Sequence, residues 1–188
     1  EKQGIDEVPG TVLFFGRIMK YKGLEYLIAA QPEISREVSN AKIIIAGAGD
    51  FTLYEGFIKD RSAFEIINQH IPDEDVALLF QQASVVVLPY IGGSQTGVVP
   101  IAYSFKKAVI VTDVGGLGEA VDDGINGLVV PPHDQDALAM AIVRLLKDEP
   151  LRKRMGEAGN KKAESELSWD KIADQTIVIY GNVIKVKK

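Results

Sequence analysis

An α/β fold, a doubly wound parallel sheet of about six strands with helices filling the C-terminal third, is predicted by three observations on the 188-residue sequence. Short runs rich in Val, Ile and Phe recur along it. They are continuously apolar rather than alternating, as suits strands buried on both faces. Between them lie stretches whose apolar residues recur at helical spacing. Strand and helix alternating in this way predict a parallel sheet covered on both sides and wound by right-handed crossovers into a Rossmann-like domain.

The strands are expected at Thr11 to Phe15, Ile43 to Ala46, Phe64 to Ile67, Val85 to Leu88, Val109 to Val111 and Leu128 to Val130. Leu24, Leu27, Ile28 and Gln31 mark a helix after the first strand. Val76, Leu79, Phe80 and Ala83 mark another, with Asp73 as its N-cap. After the fourth strand a small-residue loop runs into a helix near Val98 to Tyr103. In the last third Leu138, Ile142, Leu145 and Leu146 form an apolar stripe, and Pro150 suits the first position of the next helix. Ser168 suits the N-cap of a final helix with Ile172, Thr176, Ile179, Tyr180 and Val183 on its inner face. Without repeats, low-complexity tracts or internal linkers, residues 1–188 read as a single domain.

Composition narrows the function. A hydrophobic content of 46% with 25% charged residues is enough for a real core, which excludes disorder. The net charge of −5, with basic residues gathered only in the Lys185, Lys187, Lys188 tail, argues against a general nucleic-acid surface. There is no Cys, and the two His residues, His70 and His133, lie far apart, so neither a thiolate nor a His-rich metal site is expected. No run reaches the length of a transmembrane segment. The start lacks both Met and a signal-peptide pattern, so the chain reads as a piece of something longer.

In a doubly wound sheet, ligands bind beyond the carboxyl ends of the strands, so the loops there are where chemistry is sought. After the fourth strand, Ser94, Gln95, Thr96, Gly97 and Val98 offer hydroxyl, amide and backbone donors at a helix start. No acidic residue occurs between Pro89 and Asp113, so nothing in that loop repels a phosphate. After the first strand, Gly16 is followed by Arg17 and Lys22, two cations able to face the same crevice. Arg forks onto two phosphate oxygens and Lys acts as a mobile point charge. After the second, Gly47-Ala48-Gly49-Asp50 resembles the start of a dinucleotide fingerprint but lacks the third Gly. A close strand-to-loop turn explains it, and Gly47 still lets a ligand approach the backbone. After the third, His70 and Ile71 stand where a planar base could lie, and after the fifth Thr112 to Glu119 read as a tight turn entering a helix. No Ser-His-Asp set, P-loop or zincin motif occurs, so the crevice binds negative charge without an evident acid, base or nucleophile.

Seven short motifs, in one order, resemble the C-terminal domains of GT-B glycosyltransferases, and most nearly the large retaining family 4. They are Phe14-Phe15-Gly16-Arg17 with Lys22-Gly23, Ile43 to Gly49, Ile71-Pro72-Asp73-Glu74, Val87-Leu88-Pro89, Val111 to Gly116, Asp123 to Pro132 and Ser168-Trp169. The resemblance implies a nucleotide-sugar donor domain, the C-terminal half of a longer two-domain enzyme whose own N-terminal domain binds the acceptor. It implies transfer of a hexosyl group with retained configuration in glycan, glycolipid or glycoconjugate synthesis, with no metal or other cofactor. It implies a cytoplasmic protein, any peripheral attachment to the inner membrane face being left to the absent half. By position, Arg17 and Lys22 are the catalytic cations that hold the diphosphate and stabilise the leaving group. Gly16, Gly47, Ser94, Gln95, Thr96, Gly97 and Val98 would line the donor site, and the backbone at His70 and Ile71 would meet the base. Many family members carry two Glu residues separated by seven others here; the matching places, near Gly92 or Gly93 and near Ile101 or Ala102, hold no carboxylate. Two alternatives stay open: a degenerate half that binds a nucleotide or a partner without transferring sugar, and a nucleotide-sugar epimerase of the same architecture.

Overall fold

The computed structural model describes residues 6–93 and 95–166. All six apolar runs are strands: β1 (Thr11–Phe15), β2 (Lys42–Ala46), β3 (Phe64–Ile67), β4 (Val85–Leu88), β5 (Ala108–Thr112) and β6 (Gly127–Val130). They form one wholly parallel sheet in the order β3-β2-β1-β4-β5-β6. The chain winds outward from β1 to β3 on one side and from β4 to β6 on the other, so the order reverses between β1 and β4.

Continuous apolarity follows from covering both faces. Because successive side chains point to opposite sides, Val12, Phe14, Ile43, Ile45, Val85 and Val87 pack under α1 (Leu24–Glu37) and α6 (Gln135–Lys147). Leu13, Ile44, Val86, Leu88, Val109 and Val111 pack under α3 (Asp73–Gln82) and α4 (Val98–Ser104). β1, β4 and β5 are buried almost throughout, whereas edge strand β3 turns Glu65 to solvent. Two four-residue helices, α2 (Thr52–Glu55) and α5 (Leu117–Ala120), and the long α7 (Glu149–Glu166) complete the described chain. α7 packs on α4, β5 and α6.

Two helix starts differ from expectation by one residue. Pro72 with its extended backbone is the N-cap of α3, and Asp73 is the first helical residue, where its charge still favours the helix dipole. α7 begins at Glu149, so Pro150 is its second residue. Either place spares the helix, because first-turn N–H groups have no intrahelical partner. The Ser168 helix lies outside the described residues.

Candidate phosphate-binding crevice

Everything needed at the reversal point is carried by the loops after β1 and β4. The chain leaves β1 through Gly16 (φ +118) and is tied to the neighbouring loop by the Ile18 amide donating to the Ala48 carbonyl at 2.9 Å. A single 3₁₀ turn, Lys20–Lys22, then carries Lys22 back over the end of the strand. A Cβ on Gly16 would stand 2.6 Å from Lys22 Nζ, so the ammonium lies directly against the backbone there. Gly47 (φ +147) has a structural cause too, since a Cβ there would come within 2.2 Å of the Gly16 carbonyl oxygen.

Lys22 is only 8% exposed. Its Nζ lies 5.3 Å from the centre of the Tyr90 ring, within cation–π range. Burial, and then the neighbouring positive charge of Arg17, hold its pKa below the ordinary lysine range. The other buried cations among the described residues, Lys107 and Arg152, share Glu7: Lys107 Nζ lies 3.6 Å and an Arg152 nitrogen 2.5 Å from its carboxylate. Lys22 and Arg17 have no such acid among the described residues. Two adjoining cations, one of them desolvated, thus stand without a counter-charge.

The loop after β4 forms the opposite wall. Thr112 Oγ1 donates to the Tyr90 carbonyl at 2.5 Å, and the Ile91 amide donates to the Tyr21 carbonyl at 2.8 Å, joining the two loops. Tyr21 packs edge-on against Tyr90 with centroids 5.9 Å apart. Neither tyrosine was among the residues selected from sequence. Their signal was an aromatic ring directly after Leu88-Pro89 and another directly before Lys22. Gln95 and Gly97 are exposed, and Gly97 has open space around it. The Val98 amide differs from expectation: it donates to the Thr96 hydroxyl at 3.2 Å, a local cap that leaves it engaged rather than bare. Ser94 lies outside the described residues.

Arg17 also borders a cleft of about 620 Å³ in which Gly16, Gly47, His70 and Ile71 meet Asp73 and the α4 residues Ile101 and Ser104, with Phe105 just beyond them. The structure therefore brings the loops after β1, β2 and β3 together in one hollow beside the reversal point. His70 is exposed and Ile71 buried. The loop after β5 stays apart, with Asp113 and Gly118 lining a separate hollow that includes Pro131 and Pro132. No group of three His, Cys, Asp or Glu side chains among the described residues is placed to hold a metal ion. No helix among them is long and apolar enough to cross a membrane. What the crevice supplies is fixed positive charge with hydroxyl and amide donors, a setting for an anion.

Similarity to known proteins extends over most of the chain. The family model described as glycosyl transferases group 1 matches residues 1–162. An uncharacterized glycosyltransferase of Methanocaldococcus jannaschii is 32% identical over 185 residues, which is 94% of this chain and 46% of that protein. The α-D-kanosaminyltransferase of Streptomyces kanamyceticus is 31% identical over 190 residues, 97% of this chain and 48% of that protein. The chain thus spans about half the length of these relatives. Among solved structures, sucrose-phosphate synthase of Thermosynechococcus elongatus superposes with a TM-score of 0.81 at 26% identity, covering 95% of this chain and 46% of that one. Anabaena HepE in complex with UDP gives a TM-score of 0.81 at 18% identity, over 93% of this chain and 49% of that one.

Proposed function

The chain belongs to the glycosyl transferases group 1 family, and from that premise we propose that it is the donor-binding half of a retaining hexosyltransferase of the family 4 type. The observation that carries the reading is Lys22, buried without a carboxylate, over Gly16 and Tyr90 and beside Arg17. A nucleoside diphosphate supplies the missing negative charge; that HepE, a relative in fold, is described with UDP supports the same class of ligand. Arg17 forks onto phosphate oxygens while Lys22 neutralises the phosphate next to the sugar, with the exposed Gln95 and Gly97 backbone beside them.

In the reaction, the bond from the anomeric carbon to the terminal phosphate oxygen breaks, one to the acceptor oxygen forms on the same face, and the acceptor's hydroxyl proton passes to the departing phosphate oxygen. Negative charge grows on the departing phosphate, and Lys22 and Arg17 are placed to stabilise it more in the transition state than in the ground state. This reading assigns leaving-group stabilisation to side chains and calls for no metal. The hydroxyls of the ribose would pass Ile101, an apolar residue lining the cleft. The acceptor would be held by a second, N-terminal domain, and the whole protein would work in the cytoplasm, its membrane contacts left to that domain.

The test is turnover of the full-length enzyme on nucleoside diphosphate sugars, with the product's anomeric configuration read by NMR. We expect retained configuration and a fall in kcat of about 10²–10³ for Lys22→Ala. Inverted product, or undiminished turnover by that variant, would overturn the assignment.

A further inference from the structure

The cleft beside Arg17 contains one feature that diphosphate binding leaves unused. Three carboxylates open α3, Asp73, Glu74 and Asp75, yet only Asp73 lines the cleft. It makes no ion pair among the described residues and caps no amide of its own helix. Asp73 is exposed and, as the first residue of α3, also suits the helix dipole; because a carboxylate repels phosphate, a nucleotide in the cleft would keep its diphosphate at Arg17 and turn another part towards Asp73. Asp73 opens α3, the helix that follows β3, and β3 lies two strands from β1. At the usual strand spacing that is about 10 Å, the reach from a diphosphate past the ribose to the base. Phe15, Val76, Ile101 and Phe105 give the cleft the apolar walls that suit a flat ring.

A carboxylate only accepts hydrogen bonds. Guanine carries two adjoining donors, N1–H and the 2-amino group, that match its two oxygens side by side. Uracil offers a single N–H flanked by two carbonyl oxygens that repel it. Adenine and cytosine offer an amino group next to a ring nitrogen that is itself an acceptor. Building on the diphosphate site described above, we propose that Asp73 selects guanine and that the donor is a guanosine diphosphate sugar.

The test is calorimetric titration of the protein with GDP, UDP, ADP and xanthosine diphosphate, before and after Asp73→Asn. Xanthine has a carbonyl where guanine has its 2-amino group, so an Asn amide, one acceptor and one donor, complements xanthine as a carboxylate complements guanine. We expect GDP to bind at least about tenfold more tightly than UDP or ADP, as a good paired contact to a base allows. Asp73→Asn should reverse the preference towards xanthosine diphosphate. Tight binding of that ligand also shows that the variant is folded. Equal affinity for all bases, or tighter binding of UDP or ADP, overturns the guanine assignment while leaving the diphosphate site standing. A preference for GDP that Asp73→Asn does not redirect overturns Asp73 as the reader. No binding of any nucleotide overturns the diphosphate reading and this inference with it.

Discussion

At the scale of single residues, the burial of Lys22 sets the proposed diphosphate site against stability. A buried ammonium with a second cation beside it and no acid destabilises the unliganded domain, because the Tyr90 ring beneath it offsets only part of the solvation it loses. Since its pKa is lowered on folding, the unfolded chain binds more protons between the depressed value and the ordinary lysine value. Stability attributable to this group therefore rises as pH climbs through that window. Lys22→Met keeps the stem's packing, removes the charge and should abolish that slope. We expect a gain of about 1 kcal/mol at neutral pH, as for other changes that relieve a strained functional site, and a rise in Tm of roughly 2–4 °C. Thermal unfolding followed from neutral pH upward checks this; a less stable variant would mean that Lys22 is structurally compensated.

At the scale of elements, two long-range contacts tie α7 to the sheet and to α4, the first of them at the amino ends of the strands, opposite the crevice. Glu7, in the segment before β1, accepts from Ser84 at the entrance to β4 and pairs with Lys107 before β5 and Arg152 on α7. Glu7→Ala leaves both cations without their counter-charge. Because Glu7 keeps some solvent contact, we expect a loss of about 2–3 kcal/mol in denaturant unfolding, below the range for a fully buried pair. An unchanged midpoint would remove Glu7 from the account. α7 meets α4 at Gly159, where a Cβ would stand 2.2 Å from the Tyr103 ring, whose hydroxyl donates to Asn126 at 2.8 Å. In an open helix Gly→Ala stabilises by about 1 kcal/mol. Here overpacking should win, and Gly159→Ala should destabilise by about 1–3 kcal/mol. The sign of that change, read by thermal unfolding, tests whether α7 is locked to α4.

At the scale of the whole molecule, the six strands and the helices α1, α3, α6 and α7 were legible because burial on two faces or on one stripe leaves a period in the sequence. α2 and the Lys20–Lys22 turn were not, since three or four residues carry no period, whereas the short α5 was announced by the glycine turn that enters it. The parallel order also made it possible to pair the loop after β1 with the loop after β4. Sequence did not reveal that Lys22 is buried, for lysine is ordinarily exposed. Its burial arises only where β1 lies next to β4, bringing Tyr90 under a cation far away in the chain. The engaged Val98 amide was equally hidden, because it depends on the rotamer of Thr96. We propose that this junction is a diphosphate site made by Arg17 and Lys22. Calorimetric titration with nucleoside diphosphates tests it most directly, comparing the native chain with the Arg17→Ala, Lys22→Ala double variant. Saturable binding is expected that weakens with salt and falls at least about a hundredfold in the variant, each charged hydrogen bond contributing about tenfold or more. Binding that survives the double substitution undiminished, or no binding of any nucleoside diphosphate by the native chain, would contradict it.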